Sequence, residues 1–277
     1  MRASPTQRSN RIAAGTIGTR IDSPANPRVA AAARAVRDGQ ALLLEGARTI
    51  ADALEAGVVP RILFAASDLT PVDERAVARA RQSGSELVEV SPRVLARLSG
   101  LESTRALVAL AEVPEARLAD LAGERLLLLL DGLQDPANVG AILRAAEAFG
   151  AGGVVLTPGT ASPFAPKAFR ASAGSALRVP VAKNVLSTDV VAWTRSRGAT
   201  LAGADAHLGE DPSSLRGVAP LLLAIGSEGH GLSAPVVQAL DLRVTIPLSP
   251  RVESLNAAVA TGILLYALSP KTSAEKR

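Results

Sequence analysis

Residues 244–268 read VTIPLSPRVESLNAAVATGILLYAL: an extended apolar piece stopped by Pro247, a polar loop, then a helical run of small and aliphatic residues. Ser254 or Asn256 is placed to cap that helix, because either side chain can accept from the free N–H groups of a first helical turn. Two other loops give this stretch company. Leu126–Leu130 is an unbroken aliphatic run followed by DGLQDPANVG (131–140), and Leu221–Ile225 is another, followed by GSEGHGLS (226–233). Unbroken aliphatic runs are typical of strands covered on both faces. Polar loops at the ends of such strands are what an open α/β sheet uses to build a ligand crevice.

Working outward, the pattern predicts helices over 141–149, 190–197 and 235–240, and strands over 153–156, 179–181 and 200–202. Lys167-Ala-Phe-Arg170 opens a further helix after the loop 157–166. Upstream, helices are expected over 29–38, 49–55, 72–82 and from Ser91-Pro92 to Leu98, and strands over 41–44, 61–65, 86–90 and 107–111. Glu45-Gly46-Ala47-Arg48 reads as the loop between the first strand and its helix. The chain therefore divides into a flexible arm (1–22), a small α/β domain (23–113), a linker with a short helical piece (114–123), a second α/β domain (124–270) and a charged tail (271–277).

Composition narrows the chemistry. Of 277 residues, 48% are apolar but only 2% aromatic, so the core is aliphatic. There is no cysteine, which removes disulfides, Cys-ligated zinc and a thiol nucleophile. Two histidines, His207 and His230, are too few for a His-based cluster, and no metal is expected. No run approaches 18 apolar residues and no apolar leader opens the chain, so the expectation is a cytoplasmic protein with no membrane span. Residues 1–40 hold seven Arg against Asp22 and Asp38, a net of +5, leaving −1 for the other 237. A basic arm on a near-neutral body suits an anionic partner such as nucleic acid; a solvated tail in an Arg-rich protein would look the same.

Several familiar sites are absent. There is no Gly-Lys pair for a phosphate-binding P-loop, and residues 226–231 read G-x-x-G-x-G rather than the dinucleotide fingerprint. No nucleophile elbow occurs. What remains is a set of polar residues at strand ends: Asn138 and Arg144, then Glu228, then Ser254 and Asn256. Arg144 has mostly aliphatic neighbours, Ile142, Leu143, Ala145 and Ala146. It either turns its planar fork into a cleft, where it could hold a phosphate or carboxylate, or pairs with Glu147 on the surface.

These residues lie in three stretches, LDGLQDPANVGAILRAAEAFGAGGVVL (130–156), LLLAIGSEGHGLS (221–233) and VTIPLSPRVESLNAAVATGILLYAL (244–268). They resemble, in order and spacing, the three motifs of the SpoU (TrmH) family of RNA ribose 2′-O-methyltransferases in the SPOUT superfamily. The connecting SPFAPKAFRASAGSALRVPV (162–181) is similar too. The stretches SPANPRV and ALLLEGARTIADALEAG resemble the L30e-like substrate-binding domain of ribosomal-RNA members. Ser103-Thr104-Arg105-Ala106 departs from the turn those members usually carry, which bears on RNA contacts of that loop.

The resemblance implies a C-terminal trefoil-knotted α/β methyltransferase domain, a fold that the rarity of knots would argue against. It implies S-adenosyl-L-methionine as cofactor, lined by the backbone of Gly226, Ile246 and Leu255. It assigns Arg144 to orient the target nucleotide, Asn138 and Asn256 to the ribose or the loops, Glu228 to Arg144 or nearby backbone N–H groups, and Ser254 to the third loop. Arg48, Lys167 and Arg170 would contact RNA, with ribosomal RNA, 23S in particular, favoured over transfer RNA. A homodimer through the knotted domain is also implied, with Ala257, Ala258, Ala260 and Gly262 permitting close helix packing. A non-catalytic RNA-binding protein that kept the fold, and a generic α/β enzyme for small anionic ligands, are the readings from other classes.

Overall fold

The structure is a computed structural model that describes residues 20–99 and 106–268. The basic arm up to residue 19, Ser103-Thr104-Arg105 of the departing turn and the charged tail lie outside the described residues. Two sheets follow one another along the chain. The first contains β1 (Leu42–Glu45), β2 (Pro60–Ala65), β3 (Glu86–Glu89) and β4 (Leu107–Ala111), interleaved with helices α1 (Pro27–Arg37), α2 (Gly46–Glu55), α3 (Pro71–Gln82) and α4 (Pro92–Ser99). Its order is β1-β4-β2-β3. β2 and β3 run parallel, and β4 is antiparallel to both its neighbours.

Local sequence explains the helix starts. Asn26 caps α1 and accepts from Arg28 N, and Thr70 with Asp73 forms a capping box on α3. One start differs from expectation. α2 begins at Gly46, directly after β1, rather than at Thr49. Gly46 has φ +82°, which lets strand pass to helix without an intervening loop. Arg48 thus lies inside the helix.

The second sheet has six strands: β5 (Leu126–Asp131), β6 (Gly153–Leu156), β7 (Val181–Ala182), β8 (Thr200–Ala204), β9 (Leu221–Gly226) and β10 (Leu242–Val244). Every pairing is parallel, in the order β10-β8-β9-β5-β6-β7. Its helices are α5 (Pro136–Ala148), α6 (Pro166–Ser172), α7 (Ser187–Ser196), α8 (Ala234–Ala239) and α9 (Ala257–Leu268). β5 shows why its sequence is unbroken leucine. Leu128 and Leu130 join one core cluster while Leu127 and Leu129 join another, on the opposite face. The first of those clusters also takes in Leu44, Ile50 and Leu107, so the core runs continuously between the two sheets.

Two boundaries that bear on the site correct the sequence reading. α5 starts at Pro136, five residues earlier than expected, with Asp135 as its cap accepting from Ala137 N at 3.0 Å. Asn138 therefore sits in the first turn of a helix, not on a loop. The last strand ends at Val244, so Thr245 and Ile246 belong to the connection. β10 lies at one edge of the sheet, yet α9 packs on α5 and β9 near its centre. Residues 245–256 must cross back over the strand ends to get there, and the knot implied by the resemblance depends on this crossing. Among the described residues, no helix is long and apolar enough to cross a membrane.

Candidate active site

The chain fills β5, β6 and β7 outward in one direction, then returns to place β8 and β9 on the other side of β5. Crevices form outside the C-terminal ends of strands at such a reversal. Here a cavity of about 650 Å³ opens beside β8, β9 and β10 and is closed by the connection into α9. Ile225, Ile246, Leu248 and Leu255 form apolar walls, and Glu228 and Asn256 bring polar groups to it.

Gly226 ends β9 at this cavity. Beyond it the loop folds back, with Ser227 N donating to Gly231 O at 3.0 Å and Gly231 N donating to Ser227 O at 2.9 Å. A Cβ at Gly226 would collide with the backbone of Gly231 and Leu232. Glycine is required there so that the main chain can double back beside the space a ligand would use.

The three motifs meet through side chains. Asn256 Oδ1 accepts from Ala258 N and Val259 N, at 3.0 and 3.3 Å, and so caps α9. The cap turns Asn256 Nδ2 the other way, where it donates to Asn138 Oδ1 at 2.9 Å. Asn138 Nδ2 in turn donates to Glu228 Oε1. Asn138 is 8% exposed, and its amide is satisfied on both sides by this chain. Each of the two amides keeps one further N–H, and Glu228 keeps a second carboxylate oxygen.

The helix cap is thus Asn256, not Ser254. Ser254 lines the cavity, is exposed, and makes no hydrogen bond to another described residue. Glu228 meets Asn138 rather than Arg144. Arg144 is exposed on α5, outside the cavity lining, and has no hydrogen bond or ion pair with another described residue. Its other expected partner is taken: Glu147 accepts from Arg178 Nε and Nη2, which hold its carboxyl below the usual range.

The three cations assigned to RNA stand differently. Lys167 Nζ donates to Asp135 at 2.9 Å, and that bond is the largest cause holding the Asp135 carboxyl below its ordinary value. Arg170 Nη1 donates to Glu45 Oε2 at 3.0 Å, across the two sheets' domains. Arg48 is exposed on α2. α5 and α6 approach closely where Gly140 faces the backbone of Ala168, and a Cβ would collide there.

Sequence reasoning missed the far wall. Asp205, just beyond β8, accepts from His207 N at 2.9 Å, Leu208 N at 3.0 Å and Arg243 Nη1 at 2.9 Å. Burial pushes its pKa up, but these donors outweigh that and hold it below the ordinary value. Asp205 and Arg243 both line the cavity. No local pattern marks them, since β10 and β8 become neighbours only in the folded sheet.

Comparison with known proteins gives the following. Residues 125–266 match the model of the SpoU rRNA Methylase family, and residues 33–109 match that of the MRM3-like substrate binding domain. An uncharacterized tRNA/rRNA methyltransferase of Mycobacterium avium is 37% identical over 234 residues, covering 81% of this chain and 75% of that protein. The AdoMet-bound rRNA methyltransferase from Sinorhizobium meliloti is similar with a TM-score of 0.81 and 27% identity, over 90% of this chain and 97% of that one. The structure of an RNA 2′-O ribose methyltransferase is similar with a TM-score of 0.74 and 32% identity, over 90% of this chain and 98% of that one.

Proposed function

The chain belongs to the SpoU rRNA methylase family, and on that premise we propose that its cavity and the polar chain at the mouth serve ribose methylation of ribosomal RNA, 23S RNA in particular. In coarser terms the protein is an S-adenosyl-L-methionine-dependent RNA 2′-O-ribose methyltransferase. What supports ribosomal RNA is the match of residues 33–109 to a substrate-binding domain and the likeness of nearly the whole chain to an rRNA methyltransferase. The single observation that carries the site is the hydrogen-bonded chain Asn256–Asn138–Glu228, which joins all three motifs at one cavity.

The residues present fit the cofactor. Aliphatic walls from Ile225, Ile246 and Leu255 suit an adenine ring, and the glycine-only turn at Gly226 lets backbone polar groups approach a ligand. S-adenosyl-L-methionine supplies an electrophilic methyl group on a positively charged sulfur. The chain's own task is to hold a ribose hydroxyl in line with that methyl group. Orientation is a large share of such a rate enhancement. Asn138 and Asn256 keep one N–H each for a ribose oxygen, and Glu228 fixes the Asn138 amide. Arg144, uncommitted to any described residue, presents a planar fork to an RNA phosphate. A guanidinium has five N–H donors and no acceptor to take up a proton, so its role is positioning. Lys167, Arg170 and Arg48 add phosphate contacts, the first two by exchanging Asp135 and Glu45 for RNA.

The reading includes a homodimer. Val259, Ile263 and Tyr266 recur along one face of α9 and are 53%, 40% and 71% exposed. An apolar helix face this open suits contact with a second copy of the chain. Ile263→Asp should turn a dimer into monomers in sedimentation velocity; a wild-type protein that sediments as a monomer at micromolar concentration would overturn this.

The test of the function is a calorimetric titration with S-adenosyl-L-methionine, followed by transfer of a labelled methyl group to total ribosomal and transfer RNA. Binding with label entering ribosomal RNA at a ribose is the expected result. Label entering transfer RNA alone would move the substrate to the other class, and absence of binding would overturn the site.

A further inference from the structure

Asp131, the last residue of β5, is a buried carboxylate that the transfer chemistry described above does not use; it is 5% exposed. It has no cationic partner among the described residues. Instead it accepts from three different segments. Thr157, just after β6, donates from Oγ1 to Asp131 Oδ1 at 2.9 Å. Ser187, the first residue of α7, donates from Oγ to the same oxygen at 3.5 Å. Ser233, the residue before α8, donates its backbone N–H to Oδ2 at 2.7 Å.

The hydroxyls around it form a directed line. Ser233 Oγ donates to Ser187 Oγ at 3.1 Å, and Ser187 Oγ spends its one proton on Asp131. Thr157 Oγ1 gives its proton to Asp131 and accepts from Gly132 N at 3.0 Å. Both carboxylate oxygens therefore receive donors and neither has one to give. A carboxylate fills that place completely. A carboxamide fills half of it: with Oδ1 kept towards Thr157 and Ser187, its NH₂ would face the Ser233 N–H, donor against donor.

The position gives the network its consequence. Asp131 opens the segment that leads into α5 and Asn138, and Ser233 closes the loop that begins at Gly226 and carries Glu228. β5 and β9 are adjacent, with Asp131 registered opposite Gly226. The Ser233–Asp131 bond thus sets the far end of the cofactor-side loop against the root of the helix that bears Asn138. We infer that Asp131 is a positioning residue of the transfer site: without touching either substrate, it fixes the 226–233 loop and so the spacing of Glu228 from Asn138. This rests on the reading of the cavity as the cofactor site.

The experiment titrates S-adenosyl-L-methionine into wild-type protein, Asp131→Asn, Ser187→Ala and Thr157→Val. Thermal melting, and kcat and KM on ribosomal RNA, accompany each titration. Asp131→Asn should weaken cofactor binding about tenfold and raise the cofactor KM by a similar factor. Ser187→Ala and Thr157→Val keep the carboxylate and remove one donor each; they should weaken binding by about two- to fivefold with little change in melting. These two variants carry the test if Asp131→Asn does not fold. A merely structural role lowers melting and the active fraction, and hence kcat, while leaving the cofactor KM of the folded molecules at the wild-type value; that pattern would overturn the inference, as would wild-type affinity in all three variants. Failure of the wild-type protein itself to bind would overturn the cofactor-site reading, and the inference with it.

Discussion

The four-stranded and six-stranded sheets are built from similar short aliphatic strands, yet only the second gathers polar side chains at one end. In the first, β4 runs against β1 and β2, so strand ends of both polarities share each edge of the sheet. Its polar side chains are spent on caps and surface pairs, such as Thr70 with Asp73 and Arg28 with Glu86. In the second, all six strands run parallel, and their C-terminal ends lie on one edge. The residues that follow β5, β8, β9 and β10 are brought together there. Parallel pairing is thus what turns four unrelated loops into one site. The difference predicts that changes at that edge act on chemistry, and changes between the two sheets act on stability and RNA affinity.

The sharpest way to break this comparison is Arg144. It has no bond to any described residue, so Arg144→Ala should leave folding and cofactor binding near wild type while lowering methyl transfer at least about 10²-fold. Single-turnover kinetics with ribosomal RNA measures this; an active variant would remove Arg144 from the site. Next is Asn138→Ala, which leaves Asn256 Nδ2 and Glu228 Oε1 without their partner. Two hydrogen bonds are lost, each contributing about 0.5–1.5 kcal/mol, so kcat/KM should fall roughly ten- to a hundredfold. A fall confined to melting temperature would show that the chain is scaffolding only.

Arg170 tests the other half of the comparison, since it joins the two regions. Its partner Glu45 has a side chain only 11% exposed, and Glu45 Oε1 is buried with no hydrogen-bond partner among the described residues. Arg170→Ala leaves that carboxylate unpaired, and the loss should be about 1–3 kcal/mol in denaturant unfolding. If Arg170 also reaches a phosphate, the salt dependence of RNA affinity should drop by about one counterion. Unchanged stability would mean the domains are not held by this pair.

Much of this was legible in the sequence. The leucine runs at 126–130 and 221–225 identify buried parallel strands because a strand covered on both faces has no polar side to show. The α5 start was legible and passed over: Asp135-Pro136 is a cap followed by proline at the first helical position, the usual signature of a helix start. Reading it would have placed Asn138 on the helix. The pairing of Asn138 with Glu228 and Asn256, and the roles of Asp131, Asp205 and Arg243, were not legible. They depend on β9 entering between β8 and β5, and strand order is a property of packing that no local pattern records. Gly140 shows the same limit, since what makes it obligatory is the approach of the Ala168 backbone, from a segment distant in sequence.

The smallest effect expected is electrostatic and lies on the helix that carries Arg144. Hydrogen bonds from Arg178 hold the Glu147 carboxyl below its ordinary value. A carboxyl whose folded pKa is depressed stabilises the fold fully above its unfolded value and loses that contribution as pH falls through the depressed folded one. The pair is a third or more exposed on each side, so solvent screens it and the gain is on the order of 0.5 kcal/mol. Glu147→Gln should therefore melt slightly below wild type at pH 7, and the gap should close as the pH is taken down through the acid range. Because Glu147 is engaged by Arg178 and not by Arg144, the same substitution should leave methyl transfer unchanged. A fall in kcat without a fall in melting temperature would show instead that Glu147 serves Arg144 during the reaction, and that the division between site and scaffold does not hold along α5.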